Sequence, residues 1–171
     1  IYSGAGLMKP MEKLRKNFEE AHNISIDMHY AGSGEIFGLL AMGRCCDVFI
    51  PGAAKYTMDA LKKDLIEEKS IHKIVKHIPV IAVPKDNPGN INSLNDLTKP
   101  NLKLAMGDPK ACAIGKMGKK ILQRNEIYEQ VLENVEVRGP TVNQLLIYVA
   151  TNRVDGTIIW EDLTAWAEGK G

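Results

Sequence analysis

Strand-like and helix-like spacings of apolar residues alternate along the first half of the chain. A short apolar strand at Ile1–Ser3 is followed by apolar positions at the spacing of one helix face. These positions are Leu7, Met11, Leu14, Phe18 and Ala21. Apolar and polar residues then alternate from Ile24 to Tyr30, which indicates a half-buried strand. The pattern therefore predicts a strand, a helix and a second strand in succession.

The same alternation continues to the middle of the chain and begins again in the second half. The further predicted elements are a helix over 35–42, a strand over 47–50, a helix over 53–63, strands over 102–106, 135–137 and 156–160, and helices over 114–124 and 141–151. Strands that alternate with helices in this way are typical of an α/β fold with a parallel sheet flanked by helices. We therefore predict the α/β class for the whole chain.

A β-branched run at Ile74–Pro84 marks the predicted division into two lobes. The run is long for one strand, so it is suited to cross from one lobe to the other. We predict an N-terminal α/β lobe over residues 1–80 and a second α/β lobe over 81–162. Residues 163–171 are predicted to begin a return toward the first lobe.

The charge balance excludes some classes of partner. The chain has 22 basic and 21 acidic residues, which give a formal net charge of +1. Domains that bind nucleic acid usually carry a basic excess, so no nucleic-acid partner is predicted. The longest apolar runs are far shorter than the ~20 residues that a membrane-spanning helix needs. The chain begins at Ile1 rather than at a starter Met, so the sequence leaves export open.

The residue types used in catalysis and metal binding are scattered. The sequence contains no G-x-S-x-G, H-E-x-x-H, P-loop or G-x-G-x-x-G motif. Cys45, Cys46 and Cys112 lack the spacing of a zinc site, and we interpret them as small apolar fillers. His72 and His77 flank a basic stretch and are interpreted as solvated side chains. The sequence therefore predicts neither an enzyme nor a cofactor or metal site.

Turns rich in glycine and serine link several predicted strands to the helices that follow. Three of them lie at 4–7, 31–34 and 107–115, and a fourth helix begins near Pro140–Val142. A helix N-terminus presents unpaired N–H groups and about half a positive charge, so several together can hold an anion without Lys or Arg. Ligands of open α/β sheets bind outside the carboxyl ends of the strands, where these turns lie. A single turn of this kind is more often only a packing device, and Ser33 fits a helix cap as well as a ligand contact.

Several segments together resemble the molybdate- and tungstate-binding proteins of ABC uptake systems. They are Tyr2–Leu7, Tyr30–Gly34, Asp47–Ile50, Gly107–Pro109 with Gly115, and Gly156–Trp160. Their order and spacing agree with that family along nearly the whole chain. The resemblance implies a type II periplasmic-binding-protein fold, which has two α/β lobes with parallel-rich sheets, a two-strand hinge and a ligand between the lobes.

The resemblance also implies which residues bind the ligand. The family holds its oxyanion with hydroxyl and backbone N–H groups, and Ser33 corresponds to one of its hydroxyl donors. Ile114 and Val142 correspond to backbone N–H donors of the second lobe. The implied ligand is a tetrahedral oxyanion, molybdate or tungstate, and no cofactor is implied.

Two positions depart from the family pattern. Gly6 stands where the family carries a serine, so the backbone N–H remains but one hydroxyl is absent. Ser3, on the other side of the same turn, is the candidate to replace it. Trp160 stands where the family often has a tyrosine, so it offers an indole N–H in place of a phenol. These changes leave open which oxyanion is bound, with sulfate and phosphate as alternatives.

The resemblance further implies an exported protein, periplasmic or extracellular and membrane-associated, that delivers its ligand to the membrane permease of an ABC transporter. A ligand-sensing module of a regulator and a small α/β enzyme are the alternatives, but no helix-turn-helix and no base–nucleophile pair is evident in the sequence. The family usually continues after a segment like Asp162–Gly171 with a strand and helices that complete the first lobe. A lobe edge left uncovered predicts a dimer through that lobe.

Overall fold

The computed structural model describes residues 1–166 and confirms the predicted α/β class. The chain divides into two units, which we call unit 1 (Ile1–Val75) and unit 2 (Lys76–Gly171). The division falls a few residues before the boundary between residues 80 and 81 that the sequence suggested. Each unit has its own sheet, so the two are described separately.

Unit 1 contains a small sheet in which all strands are parallel. Its elements are β1 (Tyr2–Gly4), a 3-10 turn (Ala5–Leu7), α1 (Met8–His22), β2 (His29–Ala31), α2 (Ser33–Ala41), β3 (Phe49–Ile50), α3 (Ala54–Leu61) and a second 3-10 turn (Glu68–Ser70). The strand order is β2-β1-β3, with Gly4 opposite Ala31 and Ser3 opposite Ile50. The carboxyl ends of the three strands therefore lie side by side.

Unit 2 contains a larger sheet with one antiparallel strand. Its elements are β4 (Pro79–Ala82), a 3-10 turn (Asn95–Thr98), β5 (Leu104–Gly107), α4 (Ala113–Arg124), α5 (Tyr128–Glu133), β6 (Val135–Gly139), α6 (Val142–Ala150), β7 (Gly156–Trp160) and a last 3-10 turn (Glu161–Ala165). The strand order is β4-β7-β5-β6, in which β5, β6 and β7 are parallel and β4 is antiparallel to β7. The amino end of β4 thus shares an edge with the carboxyl ends of the other three strands.

Several strands are shorter than their sequence patterns suggested, and two of them illustrate the cause. The alternation over 24–30 predicts a strand, yet β2 begins only at His29. The reason is that β1, its partner, is limited to Tyr2–Gly4, so the preceding residues have no strand to pair with. In the β-branched run, only Pro79–Ala82 pairs with β7, and the residues before it lie outside the sheet. Helix α5 was not foreseen.

Large apolar side chains are buried unequally in the two units. In unit 2, residues such as Leu122, Leu145 and Ile159 are fully buried. Helix α1 of unit 1 has no buried residue, and its Leu14 and Phe18 are 59% and 44% exposed. Other exposed apolar residues of unit 1 are Ile24, Met42, Val48, Met58, Ile74 and Val75. Within residues 1–166, no helix reaches the combined length and apolarity that crossing a bilayer requires.

Candidate functional site

Three turns meet at the carboxyl edge of the unit 1 sheet. The first begins at Gly4, the last residue of β1, and the others follow β2 at Gly32 and β3 at Gly52. The first and third approach closely, because a Cβ placed on Gly4 would lie 3.1 Å from the Gly52 backbone nitrogen. A side chain at position 4 would push these turns apart. The glycine therefore keeps the start of α1 near the turn that follows β3.

The Ser33 hydroxyl joins two of these turns and does not cap its own helix. Gly32 is the N-cap residue of α2, and no side chain makes a capping bond there. The backbone N–H of Gly52 donates to Ser33 Oγ over 2.9 Å, and Ser33 is only 3% exposed. Because this bond uses the oxygen as an acceptor, the hydroxyl proton can still be donated to another group. Such a bridged hydroxyl is a fixed donor at the sheet edge.

The other two candidates of unit 1 lie on either side of Gly4. Gly6 is the middle residue of the 3-10 turn and is buried. Because glycine has no side chain, the backbone N–H is the donor that this position offers. Ser3 lies inside β1 and is fully buried. Its hydroxyl donates to the Gly4 carbonyl oxygen over 3.5 Å, which is long for such a bond. Ser3 is therefore a strand residue beside the turn and not a member of it.

In unit 2, the turns that lead into α4 and α6 lie side by side. Gly107 at the end of β5 is opposite Gly139 at the end of β6, and the Asp108 N–H donates to the Gly139 carbonyl oxygen over 2.9 Å. Helix α4 packs directly on the end of β5, since a Cβ placed on Gly115 would lie 2.4 Å from the Gly107 carbonyl. Only glycine allows this approach. Two helix N-termini are thereby held at one sheet edge.

Ile114 and Val142 present backbone N–H groups in the first turns of these helices. Ile114 is the second residue of α4 and Val142 is the first of α6. N–H groups at these positions have no intrahelical acceptor. Thr141 caps α6, because its side chain accepts a hydrogen bond from the Gln144 N–H over 3.4 Å. Both candidate side chains are buried, so only their backbone groups are suited to meet a polar ligand.

Cys112, just before α4, is the buried filler that the sequence predicted. Burial raises the pKa of this thiol to about 11, although the nearby N–H groups of Gly115 and Ile114 act to lower it. The thiol is therefore neutral at neutral pH and adds no negative charge beside the helix N-terminus. For Cys45 the filler interpretation is wrong, because the loop after α2 leaves that residue exposed to solvent.

Trp160 ends β7 at the same sheet edge and is in contact with a histidine. The His77 ring stacks on the Trp160 ring, with centroids 4.9 Å apart and planes inclined by 26°. His77 Nδ1 lies 3.1 Å from Oδ1 of Asp162. The interpretation of His77 as a solvated side chain is wrong, since its side chain is only 10% exposed. The cause is the pairing of β4 with β7, which sets Pro79 opposite Trp160 and brings His77 onto the end of β7.

Each unit thus contains its own set of candidate ligand-binding residues. Gly6 and Ser33 follow neighbouring strands in unit 1, whereas Ser3 precedes the turn. In unit 2, Ile114 and Val142 follow the parallel strands β5 and β6, and Trp160 ends β7, the parallel strand on the other side of β5. Sequence reasoning missed Gly52, although Pro51-Gly52 occupies the same place after β3 that Gly32-Ser33 occupies after β2. It missed the contact of His77 because that contact depends on strand pairing.

The chain was compared with known proteins and structures. The family model described as "Bacterial extracellular solute-binding protein" matches residues 1–171. A Haemophilus influenzae protein named "Putative binding protein" is 31% identical over 159 residues, which are 93% of this chain and 64% of that protein. The chain therefore spans less than two thirds of the length of this relative.

Two solved structures share the fold. The periplasmic molybdate-binding protein of Azotobacter vinelandii matches with a TM-score of 0.74 and 16% identity, covering 93% of this chain and 70% of that chain. The sulfate-binding protein SubI of Mycobacterium tuberculosis matches with a TM-score of 0.70 and 12% identity, covering 94% and 63%. At these identities the two matches establish the fold and not the ligand. The chain has the α/β fold of periplasmic binding proteins and belongs to the family of bacterial extracellular solute-binding proteins.

Proposed function

We propose that this protein captures a tetrahedral oxyanion, molybdate or tungstate, for an ABC uptake transporter. The observation that supports this most directly is the hydrogen bond that the Ser33 hydroxyl accepts from the Gly52 N–H. Because the hydroxyl is the acceptor in this bond, its own proton stays available to an anion. A donor fixed in this way needs little reordering when the ligand arrives. The molybdate-binding and sulfate-binding proteins that share the fold support an oxyanion as the class of ligand.

The proposed donors are all neutral, and they are described for each unit by itself. In unit 1 these are the Gly6 N–H and the Ser33 hydroxyl, with Ser3 as a further candidate, and in unit 2 the N–H groups of Ile114 and Val142 and the indole N–H of Trp160. A hydrogen bond to a charged group contributes about 1.5–3 kcal/mol, so a few such donors give strong binding without Lys or Arg. Helix N-termini add favourable positive potential.

Transport requires that the ligand be bound and released unchanged. In our proposal the membrane permease of the transporter recognises the form of the protein that carries the anion. No bond is made or broken, so the protein is not an enzyme and needs no cofactor. The proposed place of action is outside the cytoplasmic membrane, in the periplasm or at the cell surface. Discrimination among molybdate, tungstate, sulfate and phosphate would come from the size of the site and its fixed donors.

A thermal-shift screen tests the proposed ligand class. At a concentration a hundredfold above its dissociation constant, a ligand stabilises the native state by about 2.7 kcal/mol, which raises the Tm of a chain of this size by roughly 5–10 °C. We expect molybdate and tungstate to produce this rise at lower concentrations than sulfate, phosphate or vanadate. Sodium chloride at equal ionic strength is the control and should leave the Tm nearly unchanged. A Tm that no oxyanion raises would contradict the proposal.

We also propose that two copies of this chain associate through the exposed apolar surface of unit 1. The double change Leu14→Lys and Phe18→Lys adds two charges to that surface, so it is expected to shift sedimentation-velocity profiles toward the monomer. Ile147→Lys is the matched variant, because Ile147 is an exposed apolar residue of unit 2 and should leave association unchanged. A wild-type protein that sediments as a monomer at every concentration would show that this dimer does not form.

A further inference from the structure

We propose that His77 is a positioning residue for Trp160 and that its protonation makes oxyanion affinity depend on pH. The inference deepens the proposed function and rests on it, because Trp160 is one of the proposed donors. Its structural basis is a cluster of His77, Trp160 and Asp162 at the ligand-candidate edge of the unit 2 sheet.

Strand topology places His77 at that edge. Since β4 is antiparallel to β7, its amino end lies beside the carboxyl end of β7, and His77, just before β4, stacks on Trp160. The Glu161 N–H donates to the Ile78 carbonyl oxygen over 2.8 Å, which ties the residue after Trp160 to the residue after His77. This backbone bond and the pairing of β4 with β7 together hold the two rings near each other.

The cluster restricts the indole in two ways. The near-parallel stack, with centroids 4.9 Å apart, covers one face of the Trp160 ring. Oδ1 of Asp162 is 3.1 Å from His77 Nδ1 and fixes the rotation of the imidazole. The orientation of the imidazole in turn fixes the ring face that contacts the indole. Trp160 itself is buried, so it has little freedom to turn. A restricted indole directs its single N–H donor along one line.

Imidazole is the side chain whose charge can change near neutral pH. Protonated His77 would form an ion pair with Asp162 and a cation–π contact with Trp160. Lys76 precedes His77 in the chain and is exposed. The charged residues in the turn after β7 are Glu161, which is also exposed, and Asp162. A cation added to the cluster favours an anion bound near it. We expect oxyanion affinity to rise about threefold to tenfold when the pH is lowered from about 8 to about 5.5.

A ligand-free measurement tests the cluster by itself. The chain has two tryptophans, so a Trp166→Phe background leaves Trp160 as the only indole fluorophore. A protonated imidazole in contact with an excited indole quenches it more strongly than a neutral one, because it accepts an electron more readily. We expect Trp160 fluorescence to fall as pH is lowered from about 8 to about 5.5.

Three variants identify the group responsible for the fluorescence response. His77→Phe keeps a stacked ring without a titrating group, and His77→Gln keeps a polar partner for Asp162, so both should abolish the pH response. His72→Gln removes an exposed histidine of unit 1 and should leave the response unchanged. A response that persists in both His77 variants, or that is absent from the Trp166→Phe protein, would overturn the inference.

Calorimetric titration with molybdate and with sulfate at about pH 8 and about pH 5.5 tests the effect on affinity. The wild type should bind more tightly at the lower pH, whereas His77→Phe should bind equally at both. A merely structural His77 would instead change the melting temperature and leave the ratio of the two affinities intact. Binding that is independent of pH in the wild type would overturn this inference alone. A wild type that binds no oxyanion at either pH would overturn the proposed function as well.

Discussion

Replacing Gly115 with alanine is expected to destabilise the protein by about 3 kcal/mol. The new Cβ would lie 2.4 Å from the carbonyl carbon and oxygen of Gly107 and 2.6 Å from the carbonyl carbon of Asp108. All three atoms belong to the backbone, so no side-chain rotation can relieve the overlap. Helix α4 would have to move away from the end of β5. Urea unfolding followed by circular dichroism measures the loss of stability.

Gly118→Ala is the matched control, because it adds the same methyl group one turn later in α4. The atom nearest to its Cβ would be Ile158 Cδ1 at 3.7 Å, which is ordinary van der Waals contact. Alanine is favoured over glycine inside a helix by about 1 kcal/mol, so this variant should be as stable as the wild type or more stable. Equal unfolding midpoints for Gly115→Ala and the wild type would show that α4 does not pack on β5 as described.

The displacement of α4 in Gly115→Ala would affect the proposed binding function as well as stability. Ile114 precedes Gly115 in the first turn of α4, so a shift of the helix would move its N–H group as well. We therefore expect Gly115→Ala to weaken oxyanion binding in addition to lowering stability. The close approach of Gly107 and Gly115 explains why a glycine occurs early in this helix, where glycine otherwise disfavours helical structure.

The elements of this fold could be predicted because their signals are local. Apolar residues at helical spacing and turns such as Gly4–Gly6 and Gly107–Pro109 are read over a few residues, and they located most strands and helices. Strand lengths were harder to predict from the sequence. They depend on the partner, as in β2, where the three residues of β1 limit the pairing although the alternation begins at Ile24.

The contacts of the candidate site depend on residues that are distant in the sequence. Ser33 stands at a helix start, where a cap and a ligand contact have the same local signature. Its actual partner is the N–H of Gly52, 19 residues away. His77 shows the same limit, since nothing near it in the sequence reveals the antiparallel pairing that brings it onto Trp160. Turn positions could thus be predicted, but side-chain partners required the fold.

Removal of the Ser33 hydroxyl is expected to weaken oxyanion binding about tenfold to hundredfold, the equivalent of one hydrogen bond to a charged group. In Ser33→Ala the proposed donor is lost, and the Gly52 N–H also loses its acceptor. An unsatisfied buried donor costs about 1–3 kcal/mol, so the variant should be less stable as well. Calorimetric titration with molybdate measures the affinity, and thermal unfolding without ligand measures the stability.

Comparison of the two measurements separates a ligand contact from a structural bridge. If Ser33 only bridges the turns after β2 and β3, the unfolding temperature will fall while the affinity of the folded protein stays at the wild-type value. Loss of both is the result that the proposed function requires. Ser25→Ala, which removes an exposed hydroxyl from the same unit, should alter neither quantity. Because the titration reports only on folded protein at a temperature well below unfolding, lower stability alone cannot imitate a weaker contact with the anion.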